Sequence, residues 1–97
     1  MFENKIKFKD IYEYDLSDKI LFKNGKAVIM PKTQSKLLFL LISNIEKVVS
    51  YDVIEDFVYN DKPMSNEALR MVIKKIRQKT DQNLIKNISG IGYKISY

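Results

Sequence analysis

The stretch Ser65–Lys79, with the sequence SNEALRMVIKKIRQK, has the pattern of a helix with one apolar and one basic side. Leu69, Ile73 and Ile76 recur at helical spacing, so they should face a core. The opposite side carries Arg70, Met71, Lys74, Lys75, Arg77 and Gln78. This arrangement suits a helix that lies in the major groove of DNA, but it is also typical of an ordinary solvated surface helix.

Both arginines of the chain, Arg70 and Arg77, lie in this stretch. Seven residues are close to two helical turns, so the two side chains should point in roughly the same direction. Ser65 can cap the start of the helix, with Glu67 in the first turn and Lys79 in the last, as the helix dipole favours. The sequence therefore predicts a stable helix that presents a cationic face.

The charge of the chain is concentrated towards its C-terminal end. Residues 1–69 contain 10 basic and 11 acidic residues, a balance of −1. Residues 70–97 contain seven basic residues and a single acid, Asp81, a balance of +6. A positive field confined to one part of a chain favours a surface that binds a polyanion.

Composition excludes several classes of protein. A chain of 97 residues predicts one small domain, and no apolar run reaches the ~20 residues of a membrane span. Cysteine and histidine are absent, which removes disulfides, thiolate metal sites and the commonest general base. Asp52, Glu55 and Asp56 are grouped, but we expect them to form the solvated side of a helix. We therefore expect neither an enzyme nor a cofactor.

Residues 5–30 have the pattern of an antiparallel sheet of three or four strands. Alternating or short apolar runs predict the strands Lys5–Phe8, Tyr12–Leu16, Ile20–Phe22 and Ala27–Ile29. Between the last two lies the pair Asn24-Gly25, which is a strong hairpin signal because both residues accept positive φ.

Residues 32–79 should form a core of three helices. The first runs from Lys32 or Thr33 to Asn44 and is apolar nearly all round. The second runs from Ser50 to Tyr59, with Ile54, Phe57 and Val58 as its apolar stripe, and the third is Ser65–Lys79. Two helices joined by a short loop, the second of them basic, form the outline of a helix-turn-helix unit.

Residues 84–97 predict a hairpin beside the basic helix. The strand-like segments Leu84–Ile88 and Tyr93–Tyr97 flank Ser89-Gly90-Ile91-Gly92. Two of the three glycines of the chain lie in this turn, where they permit tight geometry and close approach to another molecule.

From about Ile20 to its end the chain resembles the OmpR/PhoB-type effector domain of bacterial response regulators, an α+β winged helix-turn-helix. The residues that carry the resemblance are Leu37-Leu38, Val48-Val49-Ser50, Val58-Tyr59, Ile73-x-x-Ile76-Arg77-x-Lys79 and Gly90-Ile91-Gly92-Tyr93-Lys94. It implies an N-terminal four-stranded sheet, three helices, a C-terminal wing, and sequence-specific binding to double-stranded promoter DNA in the bacterial cytoplasm.

The candidate base-contacting surface is the central stripe of the basic helix, formed by Met71, Lys74, Lys75 and Gln78, together with Arg70. Lysine can donate to guanine and glutamine can pair with adenine, while Met71 either touches a thymine methyl or fills a gap in the core. The candidate phosphate contacts are Tyr59, Ser65, Asn66, Arg77, Lys79 and Tyr93. Arg70 suits either role, and Tyr93 either donates to phosphate or packs under the wing.

The resemblance also assigns two further contact regions. The wing residues Ser89, Gly90, Ile91 and Gly92 would touch the neighbouring minor groove. The loop before the basic helix would contact RNA polymerase; it comprises Asn60, Asp61, Lys62, Pro63 and Met64. We expect a monomer that pairs on two DNA half-sites.

Several positions depart from the family pattern. Pro31 and Gln34 stand where the first helix usually opens with Thr and Glu, so that cap must differ. Val72 replaces a frequent histidine, and Ser89 replaces an arginine that often enters the minor groove. Tyr59 occupies a position where the family usually has tryptophan. The receiver domain is missing, so we expect either an excised effector domain or a stand-alone regulator.

Two other functions fit the same residues. The chain could be a winged helix that binds an acidic protein, chiefly through the Asn60–Met64 loop, or a nucleic-acid binder that acts by charge alone. Titration of promoter fragments against random DNA separates these alternatives.

Overall fold

The computed structural model describes residues 4–60 and 62–96. Three helices and seven strands are formed in this part of the chain. In chain order they are β1 (Lys5–Phe8), β2 (Tyr12–Asp15), β3 (Ile20–Lys23), β4 (Lys26–Val28), α1 (Lys32–Ser43), β5 (Val49–Ser50), α2 (Tyr51–Tyr59), α3 (Asn66–Lys79), β6 (Ile85–Ile88) and β7 (Gly92–Ile95). The predicted α+β class is confirmed.

The first four strands form an antiparallel sheet in sequence order. Asn24 and Gly25 connect β3 to β4 with φ values of 51° and 80°, as a primed two-residue turn requires. The predicted end of the fourth strand is wrong by one residue, because Ile29 lies beyond β4 and is 81% exposed. Leu16 likewise falls just outside β2.

The three helices begin in different ways. Pro31 precedes α1 and makes no side-chain cap bond, so this helix begins without the side-chain N-cap that is usual in the family. Ser50 Oγ accepts from Val53 N (3.3 Å) at the start of α2, and Ser65 Oγ accepts from Ala68 N (3.0 Å) at the start of α3. Ser65 is thus the N-cap that the sequence predicts, and the structure shows that Ser50 caps α2 in the same way.

The C-terminal hairpin belongs to a three-stranded sheet with the order β5-β7-β6. Its third strand, β5, is only two residues long and was not predicted. Val49 pairs with Tyr93, and Ser50 pairs with Gly92. This pairing fixes the hairpin of β6 and β7, which we call the wing, to the start of α2.

The core lies where the two sheets meet the three helices. Its fully buried side chains include Leu37, Leu41, Ile42, Ile54, Leu69, Ile73, Ile76 and Leu84. The prediction that Phe57 belongs to the buried stripe of α2 is wrong, because its side chain is 41% exposed and stacks on Phe39 instead. No helix among the described residues is long and apolar enough to cross a membrane.

Candidate nucleic-acid interface

Helix α3 presents one continuous polar and basic face. All five predicted base-contacting residues are exposed: Arg70, Met71, Lys74, Lys75 and Gln78. Leu69, Ile73 and Ile76 are buried on the opposite side, as their spacing predicts. Met71 is 50% exposed, so it is a surface residue rather than a core residue.

Arg77 is half-buried and turned towards the wing. Its Nε and Nη2 atoms both donate to the backbone oxygen of Ile85, at 3.2 and 2.6 Å. Ile85 opens the edge strand β6, so this double contact links the last turn of α3 to the wing. Any phosphate contact by Arg77 must therefore use the remaining N–H groups of its guanidinium.

Lys79 is also held by a neighbouring element. Its Nζ donates to Oε1 of Gln34 at 2.8 Å. Gln34 lies in the first turn of α1 and is 6% exposed, so the lysine satisfies the oxygen of a buried amide. A phosphate contact by Lys79 would have to compete with this bond or share the ammonium group with it.

The start of α3 meets the wing at a small cavity of about 120 Å³. Its lining brings together Asn66 and Arg70 of α3, Tyr51 of α2, and Asn87, Gly90 and Tyr93 of the wing, together with Leu69. Four predicted contact residues, Asn66, Arg70, Gly90 and Tyr93, thus adjoin one another. The structure places α3 and the wing on one continuous surface.

The side chain of Tyr93 packs under the wing. It is 4% exposed, and its ring meets Tyr51 edge-on, with the centroids 5.8 Å apart. Burial raises the pKa of Tyr93, and Tyr51 adds to this effect, while Arg77 and Arg70 oppose it. Of the two roles predicted for Tyr93, packing is the one that its burial favours.

Tyr59 ends α2 just before the loop. Its hydroxyl is buried and has no hydrogen-bond partner among the described residues. Burial raises its pKa, so it stays a neutral potential donor. The predicted phosphate contact requires this hydroxyl to become accessible when DNA binds.

The tip of the wing is exposed at Ser89, Gly90 and Ile91. Gly90 has a φ of +76°, which a side chain adopts only with strain. Gly92, by contrast, does not have positive φ. A Cβ at Gly92 would lie 1.9 Å from the backbone oxygen of Val49, so glycine is needed for the close approach of β5 to β7.

The loop between α2 and α3 is tied back to α2. Asn60 ends α2 with a φ of 48°, and Glu55 Oε2 accepts from Met64 N at 3.3 Å. Glu55 therefore orders the loop rather than belonging to the solvated side formed by Asp52 and Asp56. Lys62 and Pro63 are exposed and Met64 is half-buried, whereas Asp61 lies outside the described residues.

The sequence alone did not reveal some residues of this surface. Lys9 of the β1–β2 turn lines an open groove of about 760 Å³ together with Arg77 and Lys86. Tyr51 Oη donates to Asn87 Oδ1 at 3.1 Å beside the 120 Å³ cavity. Lys9 comes from the distant N-terminal sheet, so only the folded structure shows that it extends the basic surface.

Comparison with known proteins gives consistent matches. The family described as "Transcriptional regulatory protein, C terminal" matches residues 25–95. Transcriptional regulatory protein VxrB of Vibrio cholerae is 31% identical over 83 residues, which cover 84% of this chain and 34% of VxrB. The chain thus spans about a third of the length of that relative.

Solved structures share the fold. The response regulator DrrB of Thermotoga maritima, described as an OmpR/PhoB homolog, superposes with a TM-score of 0.82 and 27% identity, over 97% of this chain and 45% of DrrB. The DNA-binding domain of Klebsiella pneumoniae RstA, in complex with the RstA box, gives a TM-score of 0.80 at 16% identity, over 95% of this chain and 96% of that domain.

Proposed function

This chain belongs to the family of C-terminal domains of OmpR/PhoB-type transcriptional regulatory proteins, and on that basis we propose that it binds specific sequences of double-stranded DNA to regulate transcription. The RstA domain, which shares the fold, has been solved in complex with the RstA box. The observation that carries the proposal is the exposed face of α3, in which Arg70, Lys74 and Lys75 stand opposite a buried apolar stripe.

The residues divide by position into two proposed roles. Met71, Lys74, Lys75 and Gln78 form the central stripe of α3 and would contact base edges in the major groove. Asn66, at the start of the helix, and Arg77 and Lys79, near its end, would contact phosphates, and Arg70 suits either role. The wing tip at Ser89, Gly90 and Ile91 would lie over the neighbouring minor groove.

The wider role is also proposed. The chain would be monomeric alone and bind in pairs to half-sites about one helical turn apart. The Asn60–Met64 loop would contact RNA polymerase, and a receiver domain in the same polypeptide would control binding. Regulation of promoters places this activity in the bacterial cytoplasm.

Selection from a pool of random-sequence duplexes tests this function directly. Specific binding predicts enrichment of paired half-sites, whereas binding by charge alone predicts no enrichment. Lys75→Ala should then cost about 1–3 kcal/mol on the selected duplex and much less on a shuffled duplex, because it removes a base-edge donor. The matched control is Lys47→Ala, which removes an exposed lysine outside α3. Equal losses on both duplexes for Lys75→Ala would show that Lys75 contacts only phosphate.

A further inference from the structure

Two phenylalanines form a partly open apolar floor between α1 and α2. The rings of Phe39 and Phe57 stack with their centroids 6.1 Å apart and their planes inclined by 22°. Phe57 is 41% exposed, and the groove above the pair has a volume of about 250 Å³. We call this site the Phe39–Phe57 groove. None of its lining residues comes from α3 or the wing, so it is separate from the proposed DNA-binding surface.

Every charged residue that lines the groove is a lysine. Lys32 and Lys36 project from α1 and Lys19 from the β2–β3 turn, with Ser35 as the remaining polar lining residue. Lys19 Nζ lies 4.8 Å from the centroid of the Phe39 ring. The positive rim is notable because residues 1–69 have a net charge of −1. A cationic rim around an aromatic floor complements an anionic ligand that has one apolar group.

The turn that presents Lys19 is held in place by hydrogen bonds. Asp15 Oδ1 accepts from Ser17 N at 2.9 Å and from Asp18 N at 3.0 Å. Lys19 itself has a φ of 57°, a left-handed conformation that the turn imposes. The backbone that carries Lys19 is therefore ordered before a ligand binds. This reduces the conformational entropy that is lost on binding.

We propose that the Phe39–Phe57 groove binds an acidic peptide segment of a partner protein. One aromatic or aliphatic side chain of the segment lies on the two phenylalanine rings, and flanking carboxylates pair with Lys19, Lys32 and Lys36. The aromatic floor offers nothing to a DNA phosphate. A second copy placed symmetrically on this face would bring lysines against lysines, so a partner of opposite charge fits better.

The test uses a fluorescein-labelled peptide of Glu and Asp residues with a single central Phe, titrated against the chain by fluorescence polarisation. Phe57→Ser and Lys36→Glu should each weaken binding about tenfold or more, since each removes one half of the recognition. Val53→Ser and Lys47→Glu are the matched controls, as an exposed apolar residue of α2 and an exposed lysine outside the groove. Both should change the affinity less than about twofold.

A second arm separates this groove from the basic face of α3, which also attracts acidic peptides. Lys75→Glu should leave peptide affinity nearly unchanged, and a DNA duplex should not displace the peptide. Replacing the central Phe of the peptide by Ser should weaken binding as much as Phe57→Ser does. A far-UV circular dichroism spectrum equal to that of the unsubstituted chain shows that the Phe57→Ser chain is folded. The proposal is overturned by the absence of saturable binding, by a larger loss for Lys75→Glu than for Lys36→Glu, or by sedimentation showing that Phe57→Ser abolishes a dimer of the chain.

Discussion

At the scale of single residues, Tyr12 and Tyr14 show how differently two buried hydroxyls can act. They lie two positions apart on β2 and are 2% and 1% exposed. The Tyr12 hydroxyl donates to a carboxylate oxygen of Asp81, whereas the Tyr14 hydroxyl is buried without a hydrogen-bond partner among the described residues. An unpaired buried hydroxyl costs free energy, while a paired one contributes to stability.

Phenylalanine substitutions at these two positions should therefore have opposite effects. Tyr14→Phe should leave the free energy of unfolding unchanged or raise it by up to about 1 kcal/mol, because a desolvated hydroxyl is removed. Tyr12→Phe should lower it by about 1–2 kcal/mol, because Asp81 loses a donor. Urea unfolding at neutral pH measures both variants. Equal destabilisation by the two substitutions would contradict this account.

The two wing glycines serve different purposes, and substitution should distinguish them. Gly92→Ala should destabilise the fold by about 1–3 kcal/mol or more, because a Cβ there meets the Val49 backbone at 1.9 Å and β5 must move away. Gly90→Ala should cost about 1–2 kcal/mol through positive φ alone, since nothing lies within 4 Å of its Cβ position. Gly90→Asn should recover part of that loss, because asparagine tolerates this conformation, and Gly92→Asn should recover none. Thermal unfolding of the four variants measures these differences in stability.

At the scale of elements, Arg77 joins the last turn of α3 to β6 through its two bonds to the backbone oxygen of Ile85, and it is also a proposed phosphate contact. Arg77→Ala should reduce stability by loss of the bond to β6 and lower the slope of log affinity against log salt by roughly one unit if the arginine also neutralises a phosphate. Arg77→Lys keeps the charge but loses the double contact. It should therefore reduce stability while leaving the salt slope nearly unchanged. A normal slope for Arg77→Ala would show that the residue only positions the wing.

The helices and the first sheet could largely be predicted from the sequence, because their signals are local. The spacing of Leu69, Ile73 and Ile76 sets the buried side of α3, and Asn24-Gly25 sets a hairpin. The features that were missed depend on residues far apart in the chain. Strand β5 has two residues and exists only because β7 pairs with it, and the bond from Lys79 to Gln34 spans 45 positions. No local pattern shows such contacts.

At the scale of the whole molecule, a polar cluster joins the first sheet to the far end of α3. Lys23 Nζ donates to the backbone oxygen of Thr80 at 2.9 Å and lies 4.0 Å from Asp81 Oδ1. Asp81 in turn accepts from Tyr12, and Thr80 Oγ1 donates to Ile76 O at 2.8 Å. The turn that follows α3 is thus held by strands β2 and β3. The N-terminal sheet fixes where α3 ends and the wing begins.

The buried tyrosines predict how the whole molecule responds to alkaline pH. Burial, reinforced by the charge of Asp15, raises the pKa of Tyr14 to about 12. Burial and the bond to Asp81 raise the pKa of Tyr12 further still, and burial also raises the pKa of Tyr59 and Tyr93. A raised folded-state pKa means that the unfolded chain loses its proton first, at about pH 10. Stability should therefore be constant with respect to these groups below about pH 9 and fall as pH rises from 10 to 12.

The contribution of Tyr14 can be isolated by comparison with Tyr14→Phe. Between pH 10 and 12, one ionisation that occurs only in the unfolded state lowers the free energy of unfolding by about 1.4 kcal/mol per pH unit. The unsubstituted chain should therefore lose about 2–3 kcal/mol of stability that the Tyr14→Phe variant keeps. The difference in the free energy of unfolding between the two chains, measured with urea, should increase over this pH range. The absorbance of tyrosinate should rise together with the loss of the helical circular dichroism signal. A constant difference from pH 9 to 12 would mean that Tyr14 ionises equally easily in the folded and unfolded chain. Its buried position in the sheet would then have no effect on its titration.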